Sequence, residues 1–196
     1  MRAGLATLRL CRTCRSSWCE TTFERPDVLA WAYGGSVDRD LFLERLSLAR
    51  RHWDGVMGCI PSDRITEGGL PGGWSVKDVV AHITWSEREM IGVLRQRALV
   101  GSPLWSLDQD TRNAAIYAEN RDRALGDVLA DEQRVYAELL PLLEALTTED
   151  LTDPARFDRM IPGVPPWRIF AGNTFLHYEE HACAVREWLR ASEQGE

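Results

Sequence analysis

Apolar positions along this chain fall into four helical patterns. Phe42, Leu46, Ala49, Trp53, Val56 and Ile60 alternate spacings of four and three, the signature of a helix with one buried stripe. Asp38 is placed to cap it and Gly58 with Pro61 to end it. A Gly-rich loop closes on Pro71-Gly72-Gly73, and Ser75 with Asp78 three residues on resembles a capping box opening a second helix. Val79, Ile83, Ser86, Met90 and Val93 form its inward arc. The third helical region comes in two pieces, 110–119 and about 125–146, the latter carrying Leu129, Val135, Leu139, Leu142, Leu143 and Leu146. An irregular, Pro-rich stretch leads to Pro166, suited to the first turn of a final helix running past Trp188. With no alternating-period strand in view, the pattern predicts an all-α fold, a four-helix bundle.

On the last helix, with His177 at zero and 100° per residue, Phe170, Asn173, His181, Ala184 and Trp188 all lie within about 40° of it. That stripe predicts a core-facing surface with two imidazoles at its centre. Two histidines four apart project side by side and can share one metal ion. His82 falls on the edge of the second helix's inward arc, so it borders the core. Three neutral imidazoles make an open site for a divalent ion such as Zn²⁺ or Ni²⁺.

Other residues are positioned to complete such a site. Glu180, about 60° from His177, is a candidate base. Asn173 lies one turn before His177, and Tyr117 with Asn113 can present a phenol and an amide from the third region. Glu180 and Tyr117 are therefore the candidate catalytic groups, and Asn173, Asn113 and Trp85 the candidate pocket residues. Taken singly, each has a plain structural explanation: a hydrogen-bonded histidine, an exposed acid, a core aromatic. Trp74, Trp85, Trp105 and Trp167 read as core and rim packing, with one or two walling a pocket.

Composition narrows the options. The chain has 196 residues and a net charge of −7. Residues 1–36 hold five Arg against three acids, leaving −9 on the rest. An acidic body argues against nucleic acid as the partner, and no run of ~18 apolar residues predicts a membrane span. Residues 1–36 lack helical periodicity and hold Cys11, Cys14 and Cys19. They are set apart as a disordered extension, or as translation from an unused upstream start, with the bundle domain at 37–196. Five scattered cysteines do not form a secreted disulfide framework, so a cytoplasmic setting is expected.

The stretch Gly72-Gly73-Trp74-Ser75-Val76-Lys77-Asp78-Val79-Val80-Ala81-His82-Ile83 resembles the second-helix signature of the DinB-like superfamily. Ile116-Tyr117-Ala118-Glu119-Asn120-Arg121 and the run from Ala171 to His181 are similar to its ClbS/DfsB branch. The resemblance covers roughly Val37–Ala191. It implies a divalent metal between a second-helix histidine and two last-helix histidines, positions matched here by His82, His177 and His181. It also implies a small-molecule enzyme. ClbS-type relatives open the electrophilic cyclopropane of a genotoxin by hydrolysis, which sets the expectation of hydrolytic detoxification of a reactive electrophile. Metal- and thiol-dependent transfer is the alternative activity within the superfamily. A non-catalytic bundle, alone or as a homodimer, that sequesters its ligand is the third reading.

Overall fold

The computed structural model describes residues 37–194. The segment set apart at 1–36 lies outside them. Seven α-helices are present among the described residues: α1 (Arg39–Met57), α2 (Val76–Gln96), α3 (Gln109–Asn120), α4 (Leu125–Glu144), α5 (Thr148–Thr152), α6 (Pro166–Gly172) and α7 (Phe175–Gln194). Among the described residues there is no strand, only two isolated β-bridges, Gly68 with Ser75 and Ala98 with Asp158. The bundle consists of α1, α2, α4 and α7, with α1 against α7, α2 against α4, and α2 also touching α7.

Local chemistry sets the helix starts. Asp38 accepts from the Leu41 N–H at 2.9 Å, satisfying a donor that has no partner within α1. The expected capping box at α2 is formed in both directions: Asp78 N–H donates to Ser75 Oγ, and Ser75 N–H to Asp78 Oδ2 at 2.8 Å. Thr147 and Asp150 build a second such box at α5.

Two features depart from the pattern of apolar positions. First, α2 is buried on almost every side from Val76 to Glu87, because the short α3 packs against the flank that a bare four-helix bundle would leave to solvent. Lys77 fastens α3 there: its Nζ donates to the carbonyls of Asn120 (3.1 Å) and Arg121 (2.8 Å), occupying acceptors that the end of a helix leaves without partners.

Second, the final helix is broken. Asn173 leaves helical geometry (φ −106°, ψ 5°) and its Nδ2 donates to the Ile169 carbonyl at 2.8 Å. Thr174 Oγ1 donates to the Phe170 carbonyl at 2.7 Å. Short polar side chains thereby take the last acceptors of α6 and end it. The core face of α7 consists of Phe175, Tyr178, Ala182, Val185 and Leu189, all buried. The His177–His181–Ala184–Trp188 stripe is half-buried and borders that face instead of forming its centre. Phe170, buried in α6, does not continue it.

The core also holds charge. Arg50 of α1 lies 2.5 Å from Glu132 of α4 and stacks over the Tyr136 ring. Fully buried Glu87 accepts a hydrogen bond from the Tyr178 hydroxyl of α7. Burial raises the Glu87 carboxyl to about 7, although Tyr178 and Arg50 pull it down.

Candidate metal centre

His82 projects from α2, one turn before Ser86, whose hydroxyl donates to the His82 carbonyl. His177 and His181 project from successive turns of α7, beginning three residues after the Asn173–Thr174 break. The break thus determines which way both imidazoles point. His82 Nε2 and His177 Nε2 are 2.9 Å apart. Ring centroids are separated by 4.7 Å (His82–His177), 5.2 Å (His82–His181) and 4.6 Å (His177–His181). One ring nitrogen from each residue lies within 4.8 Å of the other two.

Burial makes these imidazoles neutral. His82 is pushed down to about 4, first by burial and then by the Arg112 charge. His181 is pushed down to about 3 by burial and by His82. His177 is held well below its ordinary value by burial, by the two other imidazoles and by Arg112. Neutral imidazole is the form that donates a lone pair to a metal.

The residues fit a divalent ion. Buried His181 Nε2 has no hydrogen-bond partner, a costly state that a bound ion would relieve. The Nε2 atoms of His82 and His177 converge to 2.9 Å, close enough for one ion to reach both. Among the described residues this is the one cluster of at least three His, Cys, Asp or Glu able to hold a metal.

A cavity of about 340 Å³ opens beside the triad, with His82 and His177 in its wall. Four residues expected at a pocket from the sequence line it: Trp85, Asn113, Asn173 and Glu180. Glu180 is exposed and meets the cavity beside His177. Tyr117 is not part of the wall. Its ring stacks on Trp74 at 5.8 Å, and Trp74 in turn meets His82 edge-on at 5.5 Å, so Tyr117 braces the histidine from behind. His181 is likewise not among the residues that line the cavity.

The remaining lining includes Arg112, Gln109, Trp105 and Ile169. Of these, sequence reasoning singled out only Trp105, as a candidate wall residue. Gln109, Arg112 and Asn113 sit at i, i+3 and i+4, so one turn of α3 presents all three on one side. That spacing was readable. The packing of α3 against α2 was not.

The architecture and the triad together define an all-α bundle with a candidate three-histidine metal centre. The chain belongs to the DinB superfamily, whose family model matches residues 26–183. Among solved structures it is similar to DfsB, described as a sibling lethal factor precursor, with a TM-score of 0.67 and 14% identity over 80% of this chain and 97% of that one. It is also similar to an uncharacterised protein from Escherichia coli UTI89, with a TM-score of 0.65 and 17% identity over 80% of this chain and 95% of that one. At such identities the likeness is one of fold. No curated protein sequence matches the chain.

Proposed function

We propose that the protein is a small-molecule hydrolase that opens a reactive electrophile in the cavity beside the histidine triad. The observation that carries this reading is the meeting of two features. Three neutral imidazoles offer ring nitrogens within 4.8 Å of one another, and two of them, His82 and His177, line a cavity large enough for a small organic molecule.

His82, His177 and His181 would hold the ion. A divalent metal there supplies Lewis acidity, which favours deprotonation of water near neutral pH. Glu180 reaches the same cavity and serves as the acceptor of the water proton. Trp85, Trp105 and Ile169 exclude bulk water from the apolar part of the substrate, which strengthens electrostatic interactions within the site. Asn113 and Asn173 supply amide groups to orient it. Electrophiles of this kind link the reading to detoxification.

The test combines metal analysis with isotope tracing. The full chain, purified from its host, is expected to carry close to one divalent ion, and the His177→Ala/His181→Ala variant none. With strained-ring electrophiles in H₂¹⁸O, the product should acquire one ¹⁸O and the Glu180→Gln variant should be slowed about 10²–10⁴-fold. Equal metal in both proteins would overturn the metal assignment. Turnover that requires an added thiol and leaves ¹⁸O out of the product would reassign the reaction to thiol transfer.

A further inference from the structure

Arg112 projects into the cavity wall from α3. On α2, α4 and the link before α4, Arg88, Arg95, Arg134 and Arg123 are each paired with a carboxylate. Arg97, just past α2, pairs with Asp150. The Arg112 guanidinium has no such pairing and no hydrogen bond to a described residue. Its chain carries 30 acids against 23 bases, so carboxylates were available in number. Even Glu180, which lines the same cavity, forms no ion pair with it.

Arg112 is only half-buried, so water reaches its guanidinium, and an anion entering the cavity would meet a charge that no carboxylate already holds. Its charge opposes protonation of both His82 and His177, and it would face a bound cation with the same sign. Gln109 and Asn113, on the same side of α3, add amide donors next to the guanidinium. A planar fork flanked by amides is the donor arrangement that holds a carboxylate by two parallel hydrogen bonds. Trp85, Trp105 and Ile169 supply an apolar enclosure in the same space. The volume of about 340 Å³ lies at the small end of ligand sites.

We infer that the molecule taken by this cavity carries a carboxylate, held by Arg112 with Gln109 and Asn113, and a compact apolar body packed against Trp85, Trp105 and Ile169. This deepens the proposed function and rests on it for treating the cavity as a substrate site. Arg112 is then a substrate-binding residue. It selects anionic electrophiles and orients them towards the histidines.

Phenylacetate and its neutral isostere phenylacetamide test the inference by calorimetric titration into the full chain, as purified and after chelation of metal. Phenylacetate should bind about tenfold or more tightly than phenylacetamide in both preparations. Arg112→Gln should erase that preference, chiefly by weakening phenylacetate, with an unchanged far-UV circular dichroism spectrum showing that the bundle remains folded. Three results would each overturn the inference: a preference that survives Arg112→Gln, equal weakening of both probes, or no measurable binding of phenylacetate to the unaltered chain. A preference that vanishes on chelation would place the carboxylate on a metal and equally overturn it. Protein that carries no metal as purified and still shows the preference would sink the metal assignment and leave Arg112 as the anion site.

Discussion

His82 Nε2 and His177 Nε2 stand 2.9 Å apart across the α2–α7 contact, although the residues are 95 positions apart in sequence. At that distance two neutral imidazoles either share one proton or share one ion. Because burial already holds His82 near 4 and His181 near 3, protons compete weakly for these nitrogens. Metal retention is therefore expected to stay flat from pH 8 to about 6 and to fall only as pH approaches 4, whereas ordinary histidine sites weaken below ~6.5. Gel filtration at stepped pH followed by metal analysis reads this directly. Release with a midpoint near 6.5 would contradict it. Replacing any one of the three by Ala should lower affinity by about a hundredfold or more, since even residues that merely orient ligands are worth 10–100-fold.

The reach of sequence reasoning follows the range of the interactions. Ser75 and Asp78 were legible because a capping box is built within four residues. The α1 stripe was legible because periodicity survives any packing that buries one face. His177 and His181 announced themselves by spacing, and His82 by its place at the edge of an arc. The break at Asn173–Thr174 was hidden, since Phe170 and Asn173 still fall on the His177 stripe of a helical wheel. Only competition of side chains for the Ile169 and Phe170 carbonyls shows that the helix stops. Buried Glu87 was hidden too: its partner, Tyr178, is 91 positions away. Arg112 stood unnoticed because nothing local tells which side of α3 meets α2.

Glu87 should leave a trace in stability that can be separated from that of the histidines. Its folded carboxyl is raised to about 7, so the folded state holds a proton that the unfolded chain releases near 4.5. That contribution is fully present below about 4.5 and is lost as pH rises through 7. The buried histidines act in the opposite direction and destabilise the fold as pH falls from 6.5 towards 4. Glu87→Gln leaves the histidines in place and removes the carboxyl's titration. Chemical denaturation at pH 5 and pH 8 should show the stability difference shifting in the variant's favour at the higher pH, by on the order of 1–3 kcal/mol. A difference that does not change with pH would refute the shifted carboxyl.

Lys77 is the only lysine in the chain and is 7% exposed. Because its Nζ is engaged by two carbonyls at the end of α3, Lys77→Met should cost about 1–2 kcal/mol by removing two part-buried, charge-assisted hydrogen bonds. It should also weaken ligand binding at Gln109, Arg112 and Asn113 through looser seating of α3. Pulsed reductive methylation followed by peptide mass mapping gives a second check. Lys77 should stay unlabelled in the native protein and become labelled only through the unfolding transition. Labelling in buffer at the rate of a free amine would show that α3 is not held in this way.

Gly101 links the backbone to the cavity wall. A Cβ built there would lie 2.6 Å from Glu89 Oε2 and 2.8 Å from Trp105 Cδ2, and the same carboxylate oxygen accepts the Ser102 N–H at 2.7 Å. A methyl group must therefore displace either a hydrogen-bonded carboxylate or an indole that walls the cavity. Gly101→Ala is expected to lower stability by about 1–3 kcal/mol and to weaken binding of apolar ligands as Trp105 shifts. Gly92, in the interior of α2, provides the contrast, because a Cβ there meets nothing within 4 Å. Gly92→Ala should raise stability by roughly 0.5–1 kcal/mol through reduced freedom of the unfolded chain. Thermal melts of both variants, with Trp fluorescence during ligand titration, decide the matter. If Gly101→Ala matches Gly92→Ala in stability and leaves binding unaltered, the contact of Gly101 with Trp105 does not shape the cavity.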